Sequence, residues 1–321
     1  NSLTLFSHFH MCSNVLNMIK NNETVLSLFQ NISPLFQICA DENNHQSQFA
    51  TAAGFWLLAS CTNLDYPKEM IDVVFAHLDN PFILTRYLAI ECLSSIFRSI
   101  SHKSELKQVI FDTYGEKLYQ SLQFLLAFSS ESKNLNLTES FIHYFSLFGE
   151  KLLPMAEDFS QYFINMLNEL TEDSSNFCSL ILAINSFSSL LDIIFKSEEN
   201  SIRLCPMIYK SLVELLPRIP SNAINTYFSL LIQIVNDGPL FTPEYWSITN
   251  SINFDYIREY CALFEFLQLK DLEMGNGATP SIEFMVNFIG QTLNLVSLDD
   301  FKLYCPAIVG FVLRTGTNFV Q

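Results

Sequence analysis

Turn-forming residues are scarce: the 321 residues include only 9 glycines and 11 prolines. No stretch alternates apolar and polar residues between Asn-Gly or Asp-Gly turns, which argues against β-hairpins and for helices joined by short connections. Cysteine pairs at CxxC spacing are also missing. The eight cysteines are Cys12, Cys39, Cys61, Cys92, Cys178, Cys205, Cys261 and Cys305, and most sit in apolar runs, as buried free thiols do. A reducing, intracellular compartment is expected. No uninterrupted apolar run reaches the ~18 residues of a membrane helix, so no membrane insertion is expected.

Catalytic signatures are absent too. The chain holds no GxGxxG, GxxxxGK[ST], HExxH or GxSxG. His8 and His10 in "SHFH" offer two ligands to a metal but no third is evident. Adjacent acids such as Glu157/Asp158, Glu172/Asp173, Glu198/Glu199 and Asp299/Asp300 do not face each other on a helix, so they are poor acid–base pairs. Neither an enzyme nor a cofactor is expected. Basic residues are few, 17 against 33 acidic, for a net charge of −16. Residues 157–321 hold 8 basic and 19 acidic groups, a balance of −11. Such a field repels nucleic acid and anionic lipid and favours basic protein partners. Aromatic residues are not interleaved with Lys or Arg, so stacking on single-stranded nucleic acid is unsupported.

Hydrophobic residues, by contrast, make up 49% of the chain, with 30 phenylalanines, a core-filling composition. Residues 78–96 read "LDNPFILTRYLAIECLSSI". Asp79 or Asn80 can cap a helix start there, and Pro81 suits the first helical position. Leu84, Leu88, Cys92 and Ile96 recur every fourth residue, with Ala89 and Leu93 beside them. A stripe that broad needs partners on two sides.

The same pattern repeats. First and second helices pair as 23–39 with 46–61, 67–78 with 81–99, 116–129 with 136–148, and 151–170 with 176–196. The series continues as 201–216 with 221–236, 243–253 with 256–270, and 280–297 with 299–314. Second helices thus start about every 35 to 55 residues, within the range of helical-hairpin repeats. Ala52, Ala53, Gly54 and Ala89 allow neighbouring second helices to approach closely. A hairpin cannot bury its stripe alone, so stacking into an all-α solenoid over 1–321, a superhelix of six to seven hairpins, is expected. Pro34 and Pro154 mark kinks or helix starts, and "KDLEMGNGATPS" at 270–281 reads as a connection between repeats.

The 78–96 stretch resembles the second helix of HEAT repeats, with Arg86 where those repeats often carry a base. "FGEKLLPMAEDFSQYFINMLNEL" (148–170), "LFTPEYWSITNSI" (240–252) and "FDYIREYCALFEFLQLKD" (254–271) resemble consecutive stretches of the C-terminal half of importin-β superfamily receptors, in the branch of importin seven and importin eight. There too a Pro and Trp (here Pro243 and Trp246) precede a helix start of the Asp255-Tyr256 kind.

The resemblance implies a non-catalytic segment of a longer nuclear transport receptor. It implies import of basic protein cargo, contact with nucleoporins, shuttling between cytoplasm and nucleus, and Ran GTPase binding through the full-length receptor, mainly outside this segment. Second helices line the cargo face in that family, which implies Glu172, Asp173, Glu198, Glu199, Asp237, Asp255 and Glu259 as cargo contacts. Two other readings share the pattern: a HEAT-repeat scaffold subunit of another complex, and an export receptor for importin-α.

Overall fold

The computed structural model describes residues 45–60, 66, 68–100, 103–132, 138–172, 177–239, 241 and 243–274, with single positions 23, 27, 30, 287, 288, 290, 291, 294, 306 and 309. Among them are ten α-helices, four short 3-10 segments and no strand: the protein is all-α. The helices are α1 (His45–Ala59), α2 (Lys68–Ala76), α3 (Ile83–Ser99), α4 (Ser104–Ser132), α5 (Thr138–Phe148), α6 (Ala156–Glu172), α7 (Phe177–Ile194), α8 (Glu198–Leu215), α9 (Ile224–Asp237) and α10 (Ile257–Met274). They fall into two compact units, residues 1–149 and 150–321.

In the first unit α3 is central, with α1, α2, α4 and α5 all packed on it. Its contact with α1 is the closest, because Ala52, Ala53 and Ala89 are fully buried and carry only a methyl group. Thr85 Oγ1 donates to Gln48 O at 3.1 Å and Ser95 Oγ to Ala59 O at 2.7 Å, so the two helices run parallel. On its other side the Phe97 ring meets Tyr144 of α5 edge-on at 5.1 Å. Helices α1, α3 and α5 thus form one layer. In the other, α2 and α4 join through Phe75 and Tyr114, stacked at 3.9 Å, and through Lys117 Nζ donating to Phe75 O at 3.2 Å.

The second unit repeats this arrangement. Its first layer is α6, α8 and the 3-10 segment Pro243–Ser251; its second is α7, α9 and α10. Each hairpin is closed by rings or a buried bond: Phe163 stacks on Phe187 at 5.4 Å between α6 and α7, and Tyr227 OH donates to Leu212 O at 2.7 Å between α8 and α9. Neighbours within a layer touch as well. Tyr209 and Tyr245 lie 4.6 Å apart, and Phe228 meets Tyr260 edge-on at 5.0 Å.

The second helices α1, α3, α5, α7, α9 and α10 begin within three residues of the expected 46, 81, 136, 176, 221 and 256. Four local expectations differ. The helix at 78–96 starts at Ile83 and not at Pro81, because the Asn80 side chain accepts the Phe82 N–H at 2.8 Å and the first helical bond runs from Arg86 N to Phe82 O. Helix α4 begins at Ser104, a full three turns before 116. The first helix expected at 243–253 is 3-10, with Thr249 Oγ1 donating back to Trp246 O at 2.7 Å and tightening the turn. Pro154 lies inside a 3-10 segment, Gly149–Met155, that leads into α6. That segment opens at Gly149, whose φ of 52° is the left-handed conformation that ends α5. The connection expected at 270–281 begins later, because α10 continues through Met274; its remainder, the helix 23–39, the pair 280–297/299–314, Pro34, and His8 and His10 lie outside the described residues apart from isolated helical positions.

Candidate interaction surface

The carboxylates singled out in the sequence are set by the ends of the second-unit helices. Glu172, exposed, is the last residue of α6; Asp173 lies outside the described residues. Glu198 and Glu199, both exposed, fill the first turn of α8, whose N-cap Ser197 accepts the Asn200 N–H. Acids there complement the helix dipole. Asp237, exposed, closes α9. Asp255 is exposed in the turn before α10, its N–H bonded to Asn253 Oδ1 at 3.0 Å, and Glu259 is half-buried in the first turn of α10.

Short connections reverse the chain after each helix, so these acids separate into two groups. Glu172, Asp255 and Glu259 stand at the edge where α6 ends and α7 and α10 begin. Glu198, Glu199 and Asp237 stand at the opposite edge, where α8 begins and α9 ends. An 18-residue helix such as α8 is about 27 Å long, which sets the separation. At that second edge Arg203 of α8 pairs with Glu157 of α6. Asp192 of α7 accepts Gln233 Nε2 at 2.7 Å. Desolvation pushes the Asp192 carboxyl above its ordinary range and the Asp237 charge adds to the shift, while Gln233 and Lys196 oppose it.

One groove runs along the second layer between α9 and α10. It encloses about 480 Å³ and is lined by Asn225, Phe228, Ser229 and Ile232 from α9 and by Arg258, Glu259, Cys261, Ala262 and Glu265 from α10. Phe228 and Cys261 are buried and form an apolar floor; Glu259 and Glu265 are half-buried on one wall. Arg258 is the single base among two acids. Of the sequence candidates the groove contains Glu259 alone. Glu265 shares a helix face with Arg258 and Ala262 at i, i+4 and i+7, so helical spacing ties it to Arg258 and gave no signal linking it to Glu259.

Elsewhere burial shifts several of the described titratable groups. Burial pushes the Glu91 carboxyl up against an opposing bond from Tyr87. Burial also raises the Cys205 thiol to about 12 and moves the Tyr209 phenol well above its usual value. Among the described residues no group of three or more His, Cys, Asp or Glu side chains is placed to hold a metal ion, and no helix is long and apolar enough to cross a membrane.

No family model matches the chain, and no curated protein or solved structure matches it at a significant level.

Proposed function

We propose that the chain is a non-catalytic, protein-binding helical-repeat array that takes a basic segment of another protein, as the cargo-binding part of a nuclear import receptor does. The groove between α9 and α10 carries the reading. It is open to solvent and apolar at its base, and it bears two carboxylates in the more acidic part of the chain. An apolar floor takes the alkyl stem of a lysine or arginine, and a half-buried carboxylate meets its head group in a setting less screened than open surface. The stacked hairpins support the reading as well, because each layer presents parallel helices whose grooves follow the repeat.

In this reading Ran and nucleoporins are met by the full-length receptor, and the protein moves between cytoplasm and nucleus. The test is a calorimetric titration of the chain with a core histone at low salt, repeated at rising ionic strength. Saturable binding that weakens with salt is expected. Absence of binding at the lowest salt overturns the proposal.

A further inference from the structure

The groove between α9 and α10 is built in register. Its lining residues are spaced i, i+3, i+4 and i+7 on each helix, from Asn225 to Ile232 on α9 and from Arg258 to Glu265 on α10, with Glu259 beside Arg258 as the one addition. Each α10 position lies 33 residues after its α9 counterpart, and the helices themselves start in that relation, at Ile224 and Ile257. The chain reverses twice between them, so they run parallel; Phe228 meets Tyr260, the neighbour of Cys261, at 5.0 Å, which fixes the level at which they face. The groove thus has a polar mouth of Asn225 and Arg258, the buried floor, and a far end of Ile232 and Glu265. We propose that it takes an extended segment bearing an acidic side chain as well as a basic one, about three residues apart, the acid against Arg258 and the base against Glu265.

The proposal rests on the reading of this groove as the site of a basic segment and adds the charge pattern of that segment. Arg258 is exposed, and among the described residues its guanidinium makes no hydrogen bond or ion pair within the chain. Asn225, across the mouth, uses its main-chain oxygen for Ser229 Oγ at 2.9 Å and leaves its carboxamide to the groove. No acid lies in the first turn of α9. The acids near Arg258 in sequence are Asp255, one turn earlier, and Glu259, about 100° further round α10. A segment with bases alone would set a cation against Arg258. A carboxylate there meets a planar fork of N–H donors that matches its two oxygens.

Helix geometry sets the spacing. From Arg258 to Glu265 the helix returns to within about 20° of the same face and rises about 10 Å. An extended chain covers that distance in about three residues. A volume of about 480 Å³ along that length leaves a cross-section of roughly 50 Å², too narrow for a ligand helix about 10 Å across. Between the two charged ends Ser229 and Ala262 are small and keep the groove open above its floor.

Amide chemical-shift titrations at about 0.15 M salt test this with short, terminally blocked peptides. Each carries a lysine pair and, three residues before or after it, either glutamate or glutamine. The glutamine peptides are the more positive, so the acidic field of the chain by itself favours them. In one of the two orders the glutamate peptide is nevertheless expected to bind about threefold more tightly than its glutamine counterpart, the scale of an exposed ion pair, with shifts in the first halves of α9 and α10. Arg258→Gln is expected to abolish that gain. Glutamine peptides that bind as tightly as the glutamate ones in both orders overturn the charge pattern and leave the basic-segment site standing. A gain that survives Arg258→Gln overturns the pattern as well. Absence of binding by all the peptides overturns both the pattern and the site.

Discussion

Ala89 has no exposed surface and lies where α3 meets α1. Ala89→Asp puts a carboxylate with no partner into that seam and is expected to cost about 3 kcal/mol or more in denaturant unfolding. An unchanged midpoint would place the small-residue stripe outside the packing. Two buried tyrosines of the second unit make a sharper comparison. Tyr227 OH donates to Leu212 O at 2.7 Å, whereas Tyr209 OH is equally buried and makes no hydrogen bond in the structure. Removing a bonded hydroxyl strands its acceptor and costs about 1 kcal/mol, while removing an unbonded one relieves desolvation. Tyr227→Phe is expected to lower stability by that amount, and Tyr209→Phe to leave it unchanged or raise it, as urea midpoints would show.

Between elements, the coupling of α7 and α9 rests on Ser188, Asp192 and Gln233, with Ser188 Oγ donating to Gln233 Oε1 at 2.8 Å and Gln233 Nε2 to Asp192. Burial and Asp237 raise the Asp192 carboxyl, so the folded state holds its proton longer than the unfolded state as pH rises. The sign is opposite to that of an ion-paired carboxylate. This group's contribution is most favourable in acid and falls as pH climbs from the ordinary aspartate value of about 3.9 through the raised one. Asp192→Asn keeps an acceptor for Gln233 and removes the repulsion from Asp237. It is expected to be more stable than the parent at pH 7 and to converge with it below about pH 4, measured by thermal unfolding across that range. A variant less stable at pH 7 would show that the carboxylate charge is used in the seam.

Over the whole molecule the charge of −16 sets a long-range field, whereas the groove between α9 and α10 is one local feature within it. The two effects separate experimentally. Reversing Glu198 and Glu199 alters the field at the edge away from the groove entrance; reversing Glu259 and Glu265 alters the groove itself. Both double variants are expected to slow association of a short lysine-rich peptide at low salt. Only Glu259→Lys with Glu265→Lys is expected to weaken its equilibrium affinity tenfold or more at about 0.15 M salt, where charges further apart than about 8 Å are screened. Equal losses of affinity in the two variants would mean that the field, and no particular groove, holds the peptide.

Sequence alone determined that the described chain is helical and, within three residues, where its second helices begin; it did not give the length of α4 or the 3-10 form of 243–251. The apolar period of 3.6 in "LTRYLAIECLSSI" marks a helix wherever it folds, and the stripe's breadth already requires neighbours on two sides. The alanines at 52, 53 and 89 likewise announced close helix contact, since a methyl group is all that such an approach admits. The start of α3 was two residues off because an Asn80 side-chain bond, which the apolar period does not report, competed with the helix. Tertiary structure decided the rest. Which acids share an edge follows from chain reversals, so Glu198 and Glu172 part company although 26 residues of similar pattern join them. The groove exists only because α9 and α10 lie side by side, and Arg98 meets His143 across 45 residues because α3 and α5 occupy one layer. Periodicity records whether a residue faces the interior; which residue it faces there depends on the helix that packing sets beside it.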